Sequence, residues 1–218
     1  IMILAPMYCS SEPPPASAQT KVGSSMAVPL VAVVIRPAKA MQAANSAIVS
    51  MVDEAVSGLG PIDILVNNAG ATWGAPAEEY PDEAWHKVMD LDISAQFFLS
   101  REIGKRSMIA NGGGKIINIA SIAGLGGNPP GWGMDTVGYN TAKGAMVNFT
   151  KALAAEWGKY NIQVNAICPG FFLTKISAGL LDKIEQKYID LNPAGRLGNE
   201  DDLKGIAVLL ASDASNFM

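Results

Sequence analysis

Residues 115–170 read KIINIASIAGLGGNPPGWGMDTVGYNTAKGAMVNFTKALAAEWGKYNIQVNAICPG. Lys115–Ile119 is an apolar, β-branched run that follows the turn Asn111-Gly112-Gly113-Gly114, and it predicts a buried strand. Tyr139–Tyr160 predicts a long helix. Ile162–Ile167 predicts another strand, and Pro169-Gly170 breaks the chain just after it. Working outward, Val31–Ile35 and Ile62–Val66 also read as buried strands. Met41–Ser57 has apolar residues at helical spacing and ends near Gly58 and Gly60. Asp82–Arg106 reads as a helix with Val88, Leu91, Ala95, Phe98 and Leu99 on its apolar side. Ile176–Leu191 and Glu200–Ala211 complete the pattern. Strands alternating with helices of this length predict an α/β fold, a parallel sheet with helices on both faces. Ligands in such sheets gather at the carboxyl ends of the strands.

The bulk properties set limits. The chain has 218 residues, 49% of them hydrophobic and 17% charged, enough apolar material for one substantial core. A net charge of −4 argues against a nucleic-acid partner, which would need a basic footprint. No apolar stretch approaches the roughly 18 residues that span a bilayer; Val28–Ile35 is short and contains Pro29. Cys9 and Cys168 make neither a disulfide framework nor a metal cluster, and a reducing, cytoplasmic setting is the default expectation. His86 is the sole histidine, which excludes sites needing two. Residues 9–27 are rich in Ser, Pro and Ala and predict no helix. Residues 1–27 are therefore expected to be an irregular N-terminal segment, and 28–218 one catalytic domain. Met2–Tyr8 is apolar but lacks a basic flank, so no signal peptide is expected.

Four short motifs sit at strand ends or on the helix that follows. Asn67-Asn68-Ala69-Gly70 combines small residues that let backbone approach a ligand with amides that bind both backbone and ligand. Alone, it is also an ordinary strand-ending turn. Tyr139-Asn140-Thr141-Ala142-Lys143 places Tyr and Lys four residues apart on one helix face. A free tyrosine, with a pKa of about 10, is a poor proton carrier near neutrality, and a nearby cation is expected to lower that value. The pair suits proton transfer to or from a hydroxyl or carbonyl oxygen, although Y-x-x-x-K is common on solvated helix faces. Ser121, in Ala120-Ser121-Ile122-Ala123-Gly124, either bonds a substrate oxygen or caps a turn. Cys168-Pro169-Gly170-Phe171-Phe172-Leu173-Thr174 suits backbone lying against a flat ligand. Cys168 itself reads as a small buried residue rather than a nucleophile.

In this order, N-N-A-G, S-x-A-G, Y-x-x-x-K and V-N-A-x-x-P-G with a following Thr, the motifs resemble the short-chain dehydrogenase/reductase family over roughly residues 30–218. Pro193-Ala194-Gly195-Arg196-Leu197-Gly198 and Leu209-Leu210-Ala211-Ser212-Asp213 also look like the family. The resemblance implies a Rossmann-type fold and hydride transfer with NAD or NADP. By analogy, Tyr139 exchanges the proton on a substrate oxygen. Lys143 lowers the tyrosine pKa and holds the nicotinamide ribose, and Ser121 polarises the carbonyl. Asn68, Ala69 and Gly70 would line the cofactor. Pro169, Gly170, Phe172 and Thr174 would lie along the nicotinamide, with Thr174 near its carboxamide. No metal is implied. A homodimer or homotetramer is expected, built on the helices Asp82–Arg106 and Tyr139–Tyr160.

Two positions depart from the family pattern. Asp92 stands where the family usually has an asparagine that supports a proton-relay water. If it faces Lys143, its charge partly cancels the activating cation, and a higher operating pH is expected. The family's opening T-G-x-x-x-G-I-G phosphate loop is not found; Gly23-Ser24-Ser25 lacks the strand–turn–helix context that such a loop needs. The Rossmann domain is therefore expected to be incomplete at its N-terminus, and at its extreme C-terminus after Met218. NAD cannot be told from NADP in this sequence. The resulting gap in the sheet has two resolutions: direct pairing of Val31–Ile35 with Ile62–Val66, or a substitute strand from Met2–Ala5.

The long segment Gly126–Met134 is either an ordered surface loop or a pocket roof carrying Trp132 and Met134. Trp73 and the helix Ile176–Leu191 are candidates for the opposite wall. The expected activity interconverts a secondary alcohol and a ketone on a 3-oxoacyl, sugar-acid or small-alcohol substrate. The competing reading is a weak or inactive fragment that acts as a folded or oligomerising subunit. A serine hydrolase is excluded by the lone His86 on a helix and by the lack of a G-x-S-x-G elbow.

Overall fold

The computed structural model describes residues 30–32, 41–174 and 177–218. Four strands form one parallel sheet in chain order: β1 (Leu30–Ala32), β2 (Ile64–Asn67), β3 (Gly114–Ile119) and β4 (Ile162–Ile167). β2 is buried along its whole length, and β3 is buried at its four central positions. Burial on both faces explains why these segments read as unbroken apolar runs rather than alternating ones.

Of the two expected resolutions of the gap in the sheet, direct pairing is the one realised. Leu30, Val31 and Ala32 lie opposite Ile64, Leu65 and Val66. The substitute strand at Met2–Ala5, the remainder of Val31–Ile35 beyond Ala32, and residues 1–27 all lie outside the described residues.

Between β1 and β2 runs α1 (Met41–Leu59). Asp82–Met108 forms one continuous helical run made of α2 (Asp82–Met89), α3 (Ala95–Ile103) and two π-helical turns at Asp90–Ser94 and Gly104–Met108. α4 (Val137–Trp157) connects β3 to β4. α1, α3 and α4 cover one face through a core that contains Ile48, Val52, Leu65, Leu99, Ile116 and Leu153. A sheet that adds each strand on the same side, with crossovers of one hand, puts every crossover helix on the same face. The opposite face is covered by α6 (Lys204–Ala211), whose Ala207 and Leu210 pack on Ile64, Val66, Ile117 and Ile167.

Some boundaries move. α5 begins at Ala178 (Ala178–Leu191), and Ile176 lies outside the described residues. α6 begins at Lys204 rather than Glu200, because residues 199–202 close a turn instead. There Asp202 accepts from the Asn199 amide at 2.7 Å and is gripped by Arg196 through two hydrogen bonds.

Candidate functional site

A cleft of about 1170 Å³ opens at the carboxyl ends of β3 and β4. Its floor carries Ser121, Tyr139 and Lys143. Ser121 follows β3 in extended conformation, and its Oγ accepts from the Ala123 amide at 3.1 Å. The capping alternative is thus realised, and the same side chain lines the cleft with Tyr139 and acts to lower the pKa of its phenol. Lys143, one helical turn beyond Tyr139, is buried. Its Nζ donates to the Ile119 carbonyl at 2.9 Å and sits 5.6 Å from the centre of the Tyr139 ring. Gly124 makes this geometry possible, since a Cβ there would fall 2.5 Å from the Lys143 backbone carbonyl.

One expectation is corrected. Lys143 was expected to lower the Tyr139 pKa, but the phenol is pushed above its ordinary value of 10.0, chiefly by burial. Ser121 opposes that rise, and the Asp92 charge adds to it. Lys143 is engaged elsewhere: its Nζ is 3.4 Å from Asp92 Oδ2.

Asp92 itself is fully buried in the first π-helical turn. Its Oδ1 accepts from the Ala71 amide at 2.7 Å, while Oδ2 has no hydrogen-bond partner. Burial raises its pKa from 3.8 to about 6, against the pull of Lys143 and the Ala71 amide.

The Asn67–Gly70 segment divides in two. Asn68 lines the cleft. Ala69 and Gly70 lie against the helical run behind it: Gln96 Nε2 donates to the Ala69 carbonyl at 2.6 Å, and a Cβ on Gly70 would meet Asp92 Oδ2 at 3.2 Å and Lys143 Nζ at 3.5 Å. Pro169, Gly170, Phe172 and Thr174 all line the cleft, while Cys168 is a half-buried free thiol.

The loop 126–136 forms a wall of the cleft with Trp132 and Met134. Gly179, Leu180 and Tyr188 of α5 contribute as expected, whereas Trp73 is not among the lining residues. α5 touches both rims. Lys187 Nζ lies 4.9 Å over the Trp132 ring, and Tyr188 meets Phe171 edge-on with 4.7 Å between centroids.

Sequence reasoning missed the polar supports. Asn67 Nδ2 donates to Ser100 Oγ and to Asn118 Oδ1, and Asn118 Nδ2 donates to Thr150 Oγ1, tying β2, α3, β3 and α4 together under the site. Asn128 Nδ2 donates to the Met134 carbonyl at 2.6 Å and to Thr136 Oγ1 at 3.0 Å, which pins the loop. Asn140, next to Tyr139, donates to the Ala123 and Gly126 carbonyls. A signal existed: polar residues within otherwise apolar strands (Asn67, Asn118) are costly to bury unless paired. Among the described residues, no cluster of His, Cys, Asp and Glu is placed to hold a metal, and no helix is long and apolar enough to cross a membrane.

Comparison with known proteins agrees with this geometry. Residues 38–218 match a family model described as enoyl-(acyl carrier protein) reductase. A 2-dehydro-3-deoxy-D-gluconate 5-dehydrogenase of Pseudoalteromonas atlantica is 42% identical over 176 residues, covering 80% of this chain and 67% of that protein. A gluconate 5-dehydrogenase of Gluconobacter oxydans is 38% identical over 164 residues, covering 73% of this chain and 61% of that protein. The crystal structure of a gluconate 5-dehydrogenase from Burkholderia cenocepacia, in complex with NADP and tartrate, superposes with a TM-score of 0.75 at 36% identity, covering 80% of this chain and 67% of that one. The chain belongs to the short-chain dehydrogenase/reductase family, a family of NAD(P)-dependent dehydrogenases and reductases. It spans between 61% and 67% of the length of these three relatives.

Proposed function

We propose that the chain is an NAD(P)-dependent oxidoreductase that interconverts a secondary alcohol and a ketone on a sugar-acid or related polyol substrate. The observation that carries this reading is the convergence of Ser121, Tyr139 and Lys143 on the lining of one cleft at the carboxyl ends of β3 and β4. Two hydroxyls that line the same cleft can hold one substrate oxygen between them.

In the reductive direction Ser121 donates to the carbonyl oxygen and orients it. Tyr139 then delivers its phenolic proton to that oxygen as the alcohol forms. In the oxidative direction the phenolate takes the proton back. Lys143, anchored on the Ile119 carbonyl, presents a positive charge near the ring that favours the phenolate once the site is loaded.

The residues fit the nicotinamide end of the cofactor. A cleft wall of Pro169, Gly170 and Phe172 offers a flat apolar surface, Thr174 adds a hydroxyl, and Asn68 faces them. A bound nicotinamide supplies or accepts the hydride. The sugar-acid preference rests on the names of the relatives. The enoyl reductase description of the family model implies reduction of a carbon–carbon double bond, and a pair of hydroxyls aimed at one oxygen favours the carbonyl chemistry instead. Oligomerisation through the helical run Asp82–Met108 and α4 belongs to the same reading; half-exposed Phe97 packs there beside Phe98 and Phe149.

The test is direct. NADH and NADPH are titrated against the chain, and oxidation of D-gluconate, 2-dehydro-3-deoxy-D-gluconate, glycerol and xylitol is then followed with the cofactor that binds. Sub-millimolar binding and turnover that Tyr139→Phe abolishes are expected. Binding of neither cofactor would favour the competing reading, a folded subunit without its own catalysis.

A further inference from the structure

Among the described residues, Asp92 is the one fully buried carboxylate at this site, and its placement is costly. It is 0% exposed, one of its oxygens lacks a hydrogen-bond partner, and its ion pair with Lys143 is a loose 3.4 Å. The ordinary remedy for such a cost is a neutral side chain of the same shape. The backbone around it is also irregular, a π-helical turn between two α-helices. The π-helical turn Asp90–Ser94 turns both Asp92 and Gln96 inward, so that they grip successive points of the 69–71 segment, the Ala71 amide and the Ala69 carbonyl. π-helical turns of this kind concentrate at functional sites. The groups that face Asp92 are few. From α4 come Lys143 in contact and Tyr139 within electrostatic reach; from the segment before α2 comes the half-buried Tyr80, whose hydroxyl has no hydrogen-bond partner; from the 69–71 segment comes the Ala71 amide.

We propose that Asp92 is a positioning residue that acts by its charge: it holds Lys143 down beneath the cleft and keeps the Tyr139 phenol protonated, so that the chain is a proton donor at neutral pH and a proton acceptor only in alkaline solution. The inference rests on the assignment of Tyr139 as the proton-exchanging group. Its functional consequence is a direction: at neutral pH the ready form of the site is the one that reduces a ketone. Two effects of the carboxylate act together. It neutralises part of the Lys143 charge that would stabilise a phenolate, and it repels the phenolate itself. The rise of the Tyr139 pKa, to which Asp92 contributes, agrees with this arrangement.

The experiment uses tyrosinate absorbance in the ultraviolet, which needs neither cofactor nor substrate. The titration of Tyr139 is isolated as the difference between the chain and its Tyr139→Phe variant, and again between Asp92→Asn and the double variant. The expected result is a midpoint lowered by roughly half a pH unit or more in Asp92→Asn. An unchanged or raised midpoint overturns the proposal. Far-ultraviolet circular dichroism across the titration verifies that each chain stays folded. As a second measurement, Asp92→Asn should move the ascending limb of the pH–rate profile for alcohol oxidation in the NAD(P)-loaded enzyme to lower pH. Asp92→Ala should move it the same way and also raise KM, since it releases the Ala71 amide. A purely structural role would lower kcat in both variants and leave the limb in place. The outcomes separate the two readings: activity that survives Tyr139→Phe sinks the proposed function, while activity lost there with an unmoved limb in Asp92→Asn sinks this inference alone.

Discussion

Asp92→Asn should make the protein more stable at neutral pH, and the size of the gain follows from the site. Burial raises the Asp92 pKa from 3.8 to about 6 even with Lys143 3.4 Å away. At 25 °C that displacement corresponds to about 3 kcal/mol of preference for the neutral form in the folded state. The sign runs against the usual carboxylate. Because the folded-state value lies above the unfolded one, the contribution is fully present below about pH 4 and is lost as the pH rises through about 6. Asparagine matches the neutral acid in shape and keeps an oxygen for the Ala71 amide, so it escapes the loss. Placing an amide NH₂ opposite Lys143 returns part of the gain, and a net stabilisation of roughly 1–3 kcal/mol above pH 7 is expected. For a chain of this size that is a rise in Tm of about 2–4 °C per kcal/mol. Urea unfolding of both chains between pH 4 and 8 measures it. The two stabilities should converge near pH 4 and separate above pH 6. A variant less stable than the parent at pH 8, or a gap that does not change with pH, would refute the reasoning.

Three other substitutions probe the cleft. Tyr139→Phe removes only the phenolic oxygen, so kcat should fall by about 10²–10⁴ while the unfolding midpoint stays close to the parent's; a loss below tenfold would be incompatible with Tyr139 as the proton carrier. Trp132→Ala deletes a cleft wall and should raise KM about tenfold in steady-state assays, whereas Lys187→Met removes only the cation over that ring and should change KM about threefold or less. Gly124→Ala would drive a Cβ to 2.5 Å from the Lys143 backbone, which sits in a helix and cannot rotate away; denaturation should report a loss of about 1–3 kcal/mol together with reduced kcat, and full retention of both would deny the close approach.

The sheet was legible because its signal is local. β3 is buried at its four central positions and β4 at Ile162, Val164 and Ile167, so both short runs carry a dense apolar signal between turns. The boundaries that moved did so where side chains compete with the backbone: the Arg196–Asp202 pair and the Asn199 turn delay α6 by a turn. The four motifs were legible as a set, and most of their residues meet on one cleft. The direction of the Tyr139 pKa was not. Spacing put Lys143 beside it, but only the fold reveals that the lysine is shared with Asp92 and the Ile119 carbonyl, and that burial outweighs it. Trp73 failed as a wall for the same reason: adjacency to a motif in sequence does not determine which way a side chain turns out of a loop. The Asn67–Ser100–Asn118–Thr150 network joins residues 32 to 51 apart, and no local pattern encodes such pairings.

The sheet's strand order has a consequence for how the molecule breathes. β2 is joined to β3 over four residue pairs, whereas β3 is joined to β4 over six. The longer of these two seams is the one flanked by Ser121, Tyr139 and Pro169. Partial openings start where few hydrogen bonds must break at once. A fluctuation that opens the shorter β2–β3 seam leaves the β3–β4 ladder and α4 intact, so the cleft outlasts it. The proton-exchanging groups therefore sit beside the longer of the two ladders, and their spacing is insulated from an opening on its β2 side.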